Sequence, residues 1–285
     1  MLLHGYTQKR LQAIKPGSIH GLLLSGPRGS GKAFAARYLA QLQLGLATPA
    51  QLEIYPYFSV IAPTDGTISI DSIRGLQKFL QLRTPGDQVV RRVVVVEDAH
   101  TMTNEAQNAL LKALEEPPAD TMIILTAPKS LQLKETIYSR VQEIPIQKIA
   151  KEQANTYFDG DFEQADIDRA YMMSGGHAGL MNALLKQEDH HLANQVQRAK
   201  QILSSTLFDR LAQVDDLAKQ RDTLPLFLQA CKLICSAALH QAIDKGDDTK
   251  IKHWHRTLGV VHEAEASLAH NPNTKLLLCD LFLNL

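Results

Sequence analysis

Apolar and polar positions fall into two kinds of block along the first half of the chain. Short unbroken apolar runs stand at "IHGLLLSG" (19–26), "FSVIAP" (58–63), "RRVVVVED" (91–98), "TMIILTA" (121–127) and "RVQEIPI" (140–146). Between them lie longer segments whose apolar residues recur at helical spacing: "KAFAARYLAQLQLGL" (32–46), "IDSIRGLQKFLQLR" (70–83) and "TNEAQNALLKALEE" (103–116). A strand covered on both faces reads as a continuous apolar run, because neither of its sides meets water. Helices between such runs predict βαβ units and a parallel sheet. The third helix is well marked. Thr103 is placed to cap it, Ala106, Ala109, Leu110, Ala113 and Leu114 share one face, and Pro117-Pro118 end it. Residues 1–147 therefore predict one α/β domain.

Beyond this point the strands stop. Residues 149–187 read as helices broken by "SGGHAG" (174–179), and predict a small helical domain over 148–188. "KQEDHH" (186–191) is polar and reads as a link. Residues 192–285 carry only helical patterns, the longest being "LPLFLQACKLICSAALHQAI" (224–243). Asp222 or Thr223 is placed to cap it, Pro225 suits its first turn, and Phe227, Ala230, Cys231, Ile234 and Ala238 form its apolar stripe. A packed helix bundle and an oligomerisation module both fit this pattern.

With 45% apolar and 21% charged residues, the chain can build real cores and is not disordered by composition. Acids and bases balance at 30 each, which argues against a long basic face gripping nucleic acid unaided. The three cysteines make no disulfide framework and no four-ligand cluster, so the expectation is a reducing compartment and no zinc. Cys231 and Cys235 lie four apart and read as buried neighbours on one helical face. In "KHWHR" (252–256) the two histidines are two apart, which points them away from each other on a helix. No signal-peptide pattern opens the chain and no run reaches transmembrane length, so the expectation is a soluble cytoplasmic protein.

Candidate chemistry begins at "GPRGSGKA", Gly26 to Ala33. It fits G-x-x-x-x-G-K between a strand and a helix, the context of a phosphate-binding loop. Gly26, Gly29 and Gly31 let backbone N–H groups turn inward, the helix N-terminus adds positive charge, and Lys32 reaches terminal phosphates. Ala33 stands where a Ser or Thr hydroxyl would hold Mg²⁺. The second element is Glu97-Asp98 at the end of "VVVVED". P-loop enzymes carry Asp and then Glu there, the first supporting metal and the second polarising water. Here the lengths are swapped, and a displacement of ~1 Å can cost about a hundredfold in rate. The next strand, beyond this acidic one, ends in Thr126. The third element is Ser139-Arg140 in "TIYSRVQEI" (136–144). An arginine there could reach a neighbour's γ-phosphate in an oligomer, as an arginine finger does.

Together these stretches resemble bacterial clamp-loader subunits of the AAA+ class, most closely the delta-prime subunits of DNA polymerase III. The resemblance rests on "IHGLLLSGPRGSGK", "ISIDSIRGLQKFL", "VVVVEDAHTMTNEAQNALLKALEEPPADTMIILTA" and "ETIYSRVQEIPI", and covers residues 1–185. It implies a RecA-like ATPase core, a helical lid and a helical collar that assembles a five-subunit ring. Its partners would be gamma/tau-like motor subunits and a delta-like subunit, with the sliding clamp and primed DNA met through the complex. It also implies a stator that lends Arg140, beside Ser139, to a motor neighbour without hydrolysing ATP itself. The chain departs from the wider pattern at Ala33, at Glu97-Asp98, and at "SGGHAGLM" (174–181), where motor subunits carry a phosphate-sensing arginine. "GLATPAQLEIYPY" fills the place of the cysteine-rich zinc module of many relatives. The expectation is a degenerate site at Gly26, Gly29, Ser30, Gly31, Lys32, Ala33, Glu97, Asp98 and Thr126 that binds ATP or ADP weakly and requires no cofactor. An active gamma/tau-like ATPase is the alternative, although such subunits extend further past the collar. An unrelated P-loop switch protein fits "NALLKALEEPP" and Ser139-Arg140 less well.

Overall fold

The computed structural model describes residues 2–128, 133–187, 190–268, 270 and 272–285, without the side chain of Asp222. The chain divides into two compact units, Met1–Gln153 and Ala154–Leu285.

The first unit is built on five strands: β1 (Gly21–Ser25), β2 (Phe58–Ile61), β3 (Arg92–Val96), β4 (Thr121–Ala127) and β5 (Gln142–Pro145). All pair in parallel, in the order β2-β3-β4-β1-β5. Each coincides with one of the five apolar runs. The side-chain period of two then sorts those runs between two cores. Leu22, Leu24, Val93, Val95, Met122 and Ile124 face one side. Leu23, Val94, Val96, Ile123, Leu125 and Ala127 face the other. The first side is covered by α1 (Gly5–Gln12), α2 (Lys32–Gln43) and α3 (Pro49–Glu53), through residues such as Leu11, Ala36, Leu39 and Leu52. The second is covered by α4 (Ile70–Leu80), α5 (Asn104–Glu115) and α6 (Glu135–Tyr138), through Ile73, Leu76, Ala106, Leu110 and Ile137.

Local chemistry sets the helix ends. Thr103 caps α5 by accepting from the Ala106 N–H, as its sequence position predicts. α4 stops at Leu80, three residues short of the periodic segment. The buried guanidinium of Arg92 donates to the carbonyls of Leu80 and Leu82 and lies over the Phe79 ring, which satisfies carbonyls that a further helical turn would have used. α1 and α3 carry no strong periodicity, and the sequence pattern assigned no element to either.

The second unit holds α8 (Gln164–Ser174), α9 (Ala178–Lys186), α10 (His191–Ser204), α11 (Leu207–Ala212), α12 (Val214–Lys219), α13 (Leu224–Asp244), α14 (Asp248–Leu268) and α15 (Thr274–Asn284). The division between the units falls inside α7 (Lys151–Phe158). Gly175, with φ of 58°, ends α8 within "SGGHAG". Glu188 and Asp189 of the polar link lie outside the described residues. Leu180 and Ala183 of α9 share one core with Val196 of α10, Phe227 and Cys231 of α13, Val261 of α14 and Phe282 of α15. Cys231 and Cys235 are both buried on α13, and burial raises both thiols, Cys235 to about 12. Thr223 occupies the α13 cap position without a side-chain bond to the helix.

One expectation is corrected here. α13 has 21 residues and is long and apolar enough to cross a membrane by length and composition. Its Phe227, Leu228, Ala230 and Cys231 side chains are fully enclosed among the neighbouring helices, so its apolar character serves that core.

Candidate nucleotide loop and arginine turn

The loop after β1 turns sharply into α2. Gly29 and Gly31 have φ of 81° and 93°, which L side chains rarely adopt. A Cβ on Gly26 would meet Ser30 Oγ at 3.0 Å. The opening N–H groups of α2 have no partner within the helix, so the loop presents donors and a positive helix end together. Ser30 Oγ is buried and lacks a hydrogen-bond partner among the described atoms. These features fit a phosphate group.

The side chains around the loop are engaged differently. Lys32 is buried, and its Nζ donates to the loop's own carbonyls, Gly26 O at 2.8 Å and Pro27 O at 3.0 Å. Burial lowers its pKa to about 8, with Asp98 opposing the shift and Arg28 adding to it. Glu97 pairs with Arg37 Nη1 at 2.5 Å, and Arg37 also lies 4.0 Å from Glu53. Asp98 has left-handed backbone (φ 47°, ψ 47°), and its N–H donates to the buried Thr126 Oγ1 at 2.9 Å. The structure thus brings Lys32, Asp98 and Thr126 together and ties Glu97 to α2. Ala33 offers a methyl group. These residues fit a Mg²⁺ ion less well than the loop fits phosphate, since Ala33 offers no oxygen and Glu97 Oε1 is already paired with Arg37.

His100 was not singled out by sequence. It sits 4.0 Å from Asp98 Oδ1, and its Nδ1 is buried without a hydrogen-bond partner. Burial lowers its pKa, Asp98 raises it, and the cations Arg28 and Lys32 lower it. Its place in "EDAH" was the only signal available.

Arg140 lies elsewhere. Its carbonyl packs at the start of β1, 2.9 Å from where a Cβ on Gly21 would stand. The phosphate-type loop leaves the other end of β1. At about 3.3 Å per residue, the five residues of β1 set those ends roughly 13–16 Å apart. Arg140 Nη1 donates to Thr136 O at 2.9 Å and to Ser139 Oγ at 3.1 Å, while Nη2 meets Glu115 Oε1 at 2.7 Å. Ser139 Oγ donates to Thr136 O at 3.1 Å, so this hydroxyl braces the turn. No group of three or more His, Cys, Asp or Glu among the described residues is arranged to hold a metal ion.

Comparison with known proteins gives a consistent picture. A family model described as "DNA polymerase III, delta subunit" matches residues 7–150. DNA polymerase III subunit delta' of Pseudomonas aeruginosa is 36% identical over 137 residues, covering 42% of this chain and 41% of that protein. DNA polymerase III subunit tau of Bacillus subtilis is 29% identical over 145 residues, covering 47% of this chain and 25% of that protein. The chain therefore spans less than half the length of these curated relatives. A crystal structure of a DNA polymerase III gamma subunit-related protein from Thermotoga maritima aligns with 98% of this chain and 97% of its own, at a TM-score of 0.55 and 19% identity, a likeness of fold.

Proposed function

Because the chain belongs to the family described as DNA polymerase III, delta subunit, and has delta-prime subunits among its relatives, we propose that it is a delta-prime-like stator of a clamp loader. In this role it joins gamma/tau-like motor subunits and a delta-like subunit in a five-membered ring. The ring loads a sliding clamp onto primed DNA with energy from ATP. The α/β domain is the degenerate ATPase core, residues 148–188 the lid and residues 192–285 the collar. The protein works in the cytoplasm, as a component of the polymerase holoenzyme without catalysis of its own.

The observation that carries this reading is the separation of its two phosphate-directed elements. Arg140 sits at the end of β1 opposite its own loop, and its side chain is about one-third exposed. That position supports a role at another subunit's site rather than at its own loop. At the loop, Gly26, Gly29, Gly31 and Ser30 would hold a phosphate, with Lys32 adding charge once released from Gly26 O and Pro27 O. Bound ATP would bring a γ-phosphate, but Ala33 and the Arg37-paired Glu97 give its metal little support. Weak ATP or ADP binding without turnover follows.

The gamma/tau-like reading draws on the likeness to the tau subunit of Bacillus subtilis, 29% identical over 145 residues. Steady-state ATP hydrolysis by the purified chain separates the two. The stator reading expects turnover at background. Turnover that Lys32→Ala abolishes would favour the motor.

A further inference from the structure

Arg140 is held by partners of two kinds. Nη1 donates to Thr136 O and Ser139 Oγ, neutral acceptors within its own turn. They fix where the guanidinium sits and leave its charge intact. Nη2 meets Glu115 Oε1 at 2.7 Å, and Glu115 is the last residue of α5, a separate element. A carboxylate here neutralises the charge and covers a donor edge that a two-pronged phosphate contact would use. The Arg140 and Glu115 side chains are 36% and 48% exposed. A pair in such contact with water is weak and exchanges readily against another anion. The contacts from Thr136 and Ser139 do not depend on Glu115, so the guanidinium keeps its position when the carboxylate leaves.

We propose that Glu115 is an internal competitor for Arg140, a counter-ion that a neighbouring subunit's triphosphate must displace. The inference rests on Arg140 acting in trans. The exchange breaks no covalent bond. One anion, the carboxylate, leaves Nη2 and turns to solvent, while a phosphate oxygen of higher charge takes its donor. Glu115 is a positioning residue in this scheme. It raises the ATP concentration at which the shared site fills, and so keeps the arginine neutralised until a triphosphate faces it.

The test measures ATP hydrolysis against ATP concentration for the loader reconstituted with this chain, after gel filtration has checked assembly. Glu115→Gln keeps the length and an acceptor oxygen but removes the charge. It should lower the half-saturating ATP concentration about two- to fivefold, the scale of an exposed ion pair. Glu115→Asp retains the charge and should return the value towards wild type. In an Arg140→Ala background, where binding of a fluorescent ATP analogue to the loader replaces turnover as the readout, Glu115→Gln should shift nothing further. An unchanged or raised half-saturating concentration in Glu115→Gln overturns the proposal, as does an equal shift in the Arg140→Ala background. If Glu115→Gln fails to assemble, Glu115→Ser replaces it with the same expectation. Loss of turnover in Arg140→Ala with no effect of Glu115→Gln would reject the competitor and leave the trans reading standing. Arg140→Ala with wild-type turnover would reject both.

Discussion

At the C-terminal end of β1 the glycine loop closes on itself, with Lys32 donating to Gly26 and Pro27 carbonyls, whereas at the N-terminal end Arg140 is partly exposed and held by an exchangeable counter-ion, Glu115. The contrast teaches that a motif's backbone and its chemistry are retained for different reasons. Gly29 and Gly31 adopt positive φ, and a Cβ on Gly26 would press on Ser30. The turn from β1 into α2 needs those glycines whether or not nucleotide binds. Ala33 and the swapped acids cost the fold little, because Glu97 finds Arg37 and Asp98 finds Thr126 through its N–H. A loop can therefore keep its outline whatever side chains stand beside it.

The strongest way to break this comparison is Arg140→Lys. It keeps the charge but loses the planar fork that pairs with phosphate oxygens, so turnover at the site it completes should fall by about a hundredfold or more. Single-turnover hydrolysis by the assembled loader would read this, and a lysine that works as well would show that charge alone suffices.

A smaller effect sharpens the picture at the loop. Burial lowers Lys32 to about 8 from the ordinary 10.5. Between those values the unfolded chain holds a proton that the folded chain has released, so stability rises with pH through that window. Below about 8 both states carry the proton, and the burial cost is then felt in full. The unfolding free energy of wild type minus that of Lys32→Met should climb by on the order of 2–3 kcal/mol between pH 8 and 10. Urea titrations at a series of pH values would measure it, and a flat difference would contradict a buried ammonium.

The smallest expected effect is at Ala33. Restoring the hydroxyl with Ala33→Ser should leave the isolated chain's ATP turnover at background, because Glu97 remains paired with Arg37. Turnover gained from this one change would place the whole defect at Ala33.

The sequence pattern located the sheet well, since five apolar runs become five strands, and the three central ones, β1, β3 and β4, are buried on both faces. It also located the glycine loop, because a G-x-x-x-x-G-K run between a strand and a helix leaves few other shapes. Ionic partners were not legible. Arg37 and Glu97 are 60 residues apart, and only folding brings them to 2.5 Å. Glu115 reads as one of two acids before Pro117-Pro118 and gives no sign of Arg140. The pattern also hid the end of α4, which Arg92 sets from a different strand, and the core role of α13, whose composition alone would suit a membrane.

The most direct test of the asymmetry compares two variants in one reconstituted loader, Arg140→Ala and Lys32→Ala, with assembly verified for both. Clamp- and DNA-stimulated ATP hydrolysis is the readout. The account predicts that Arg140→Ala loses about 10³-fold at the site it completes, while Lys32→Ala stays at the wild-type rate. The reverse, with Lys32→Ala inactive and Arg140→Ala unaffected, would make this chain a motor and contradict the account.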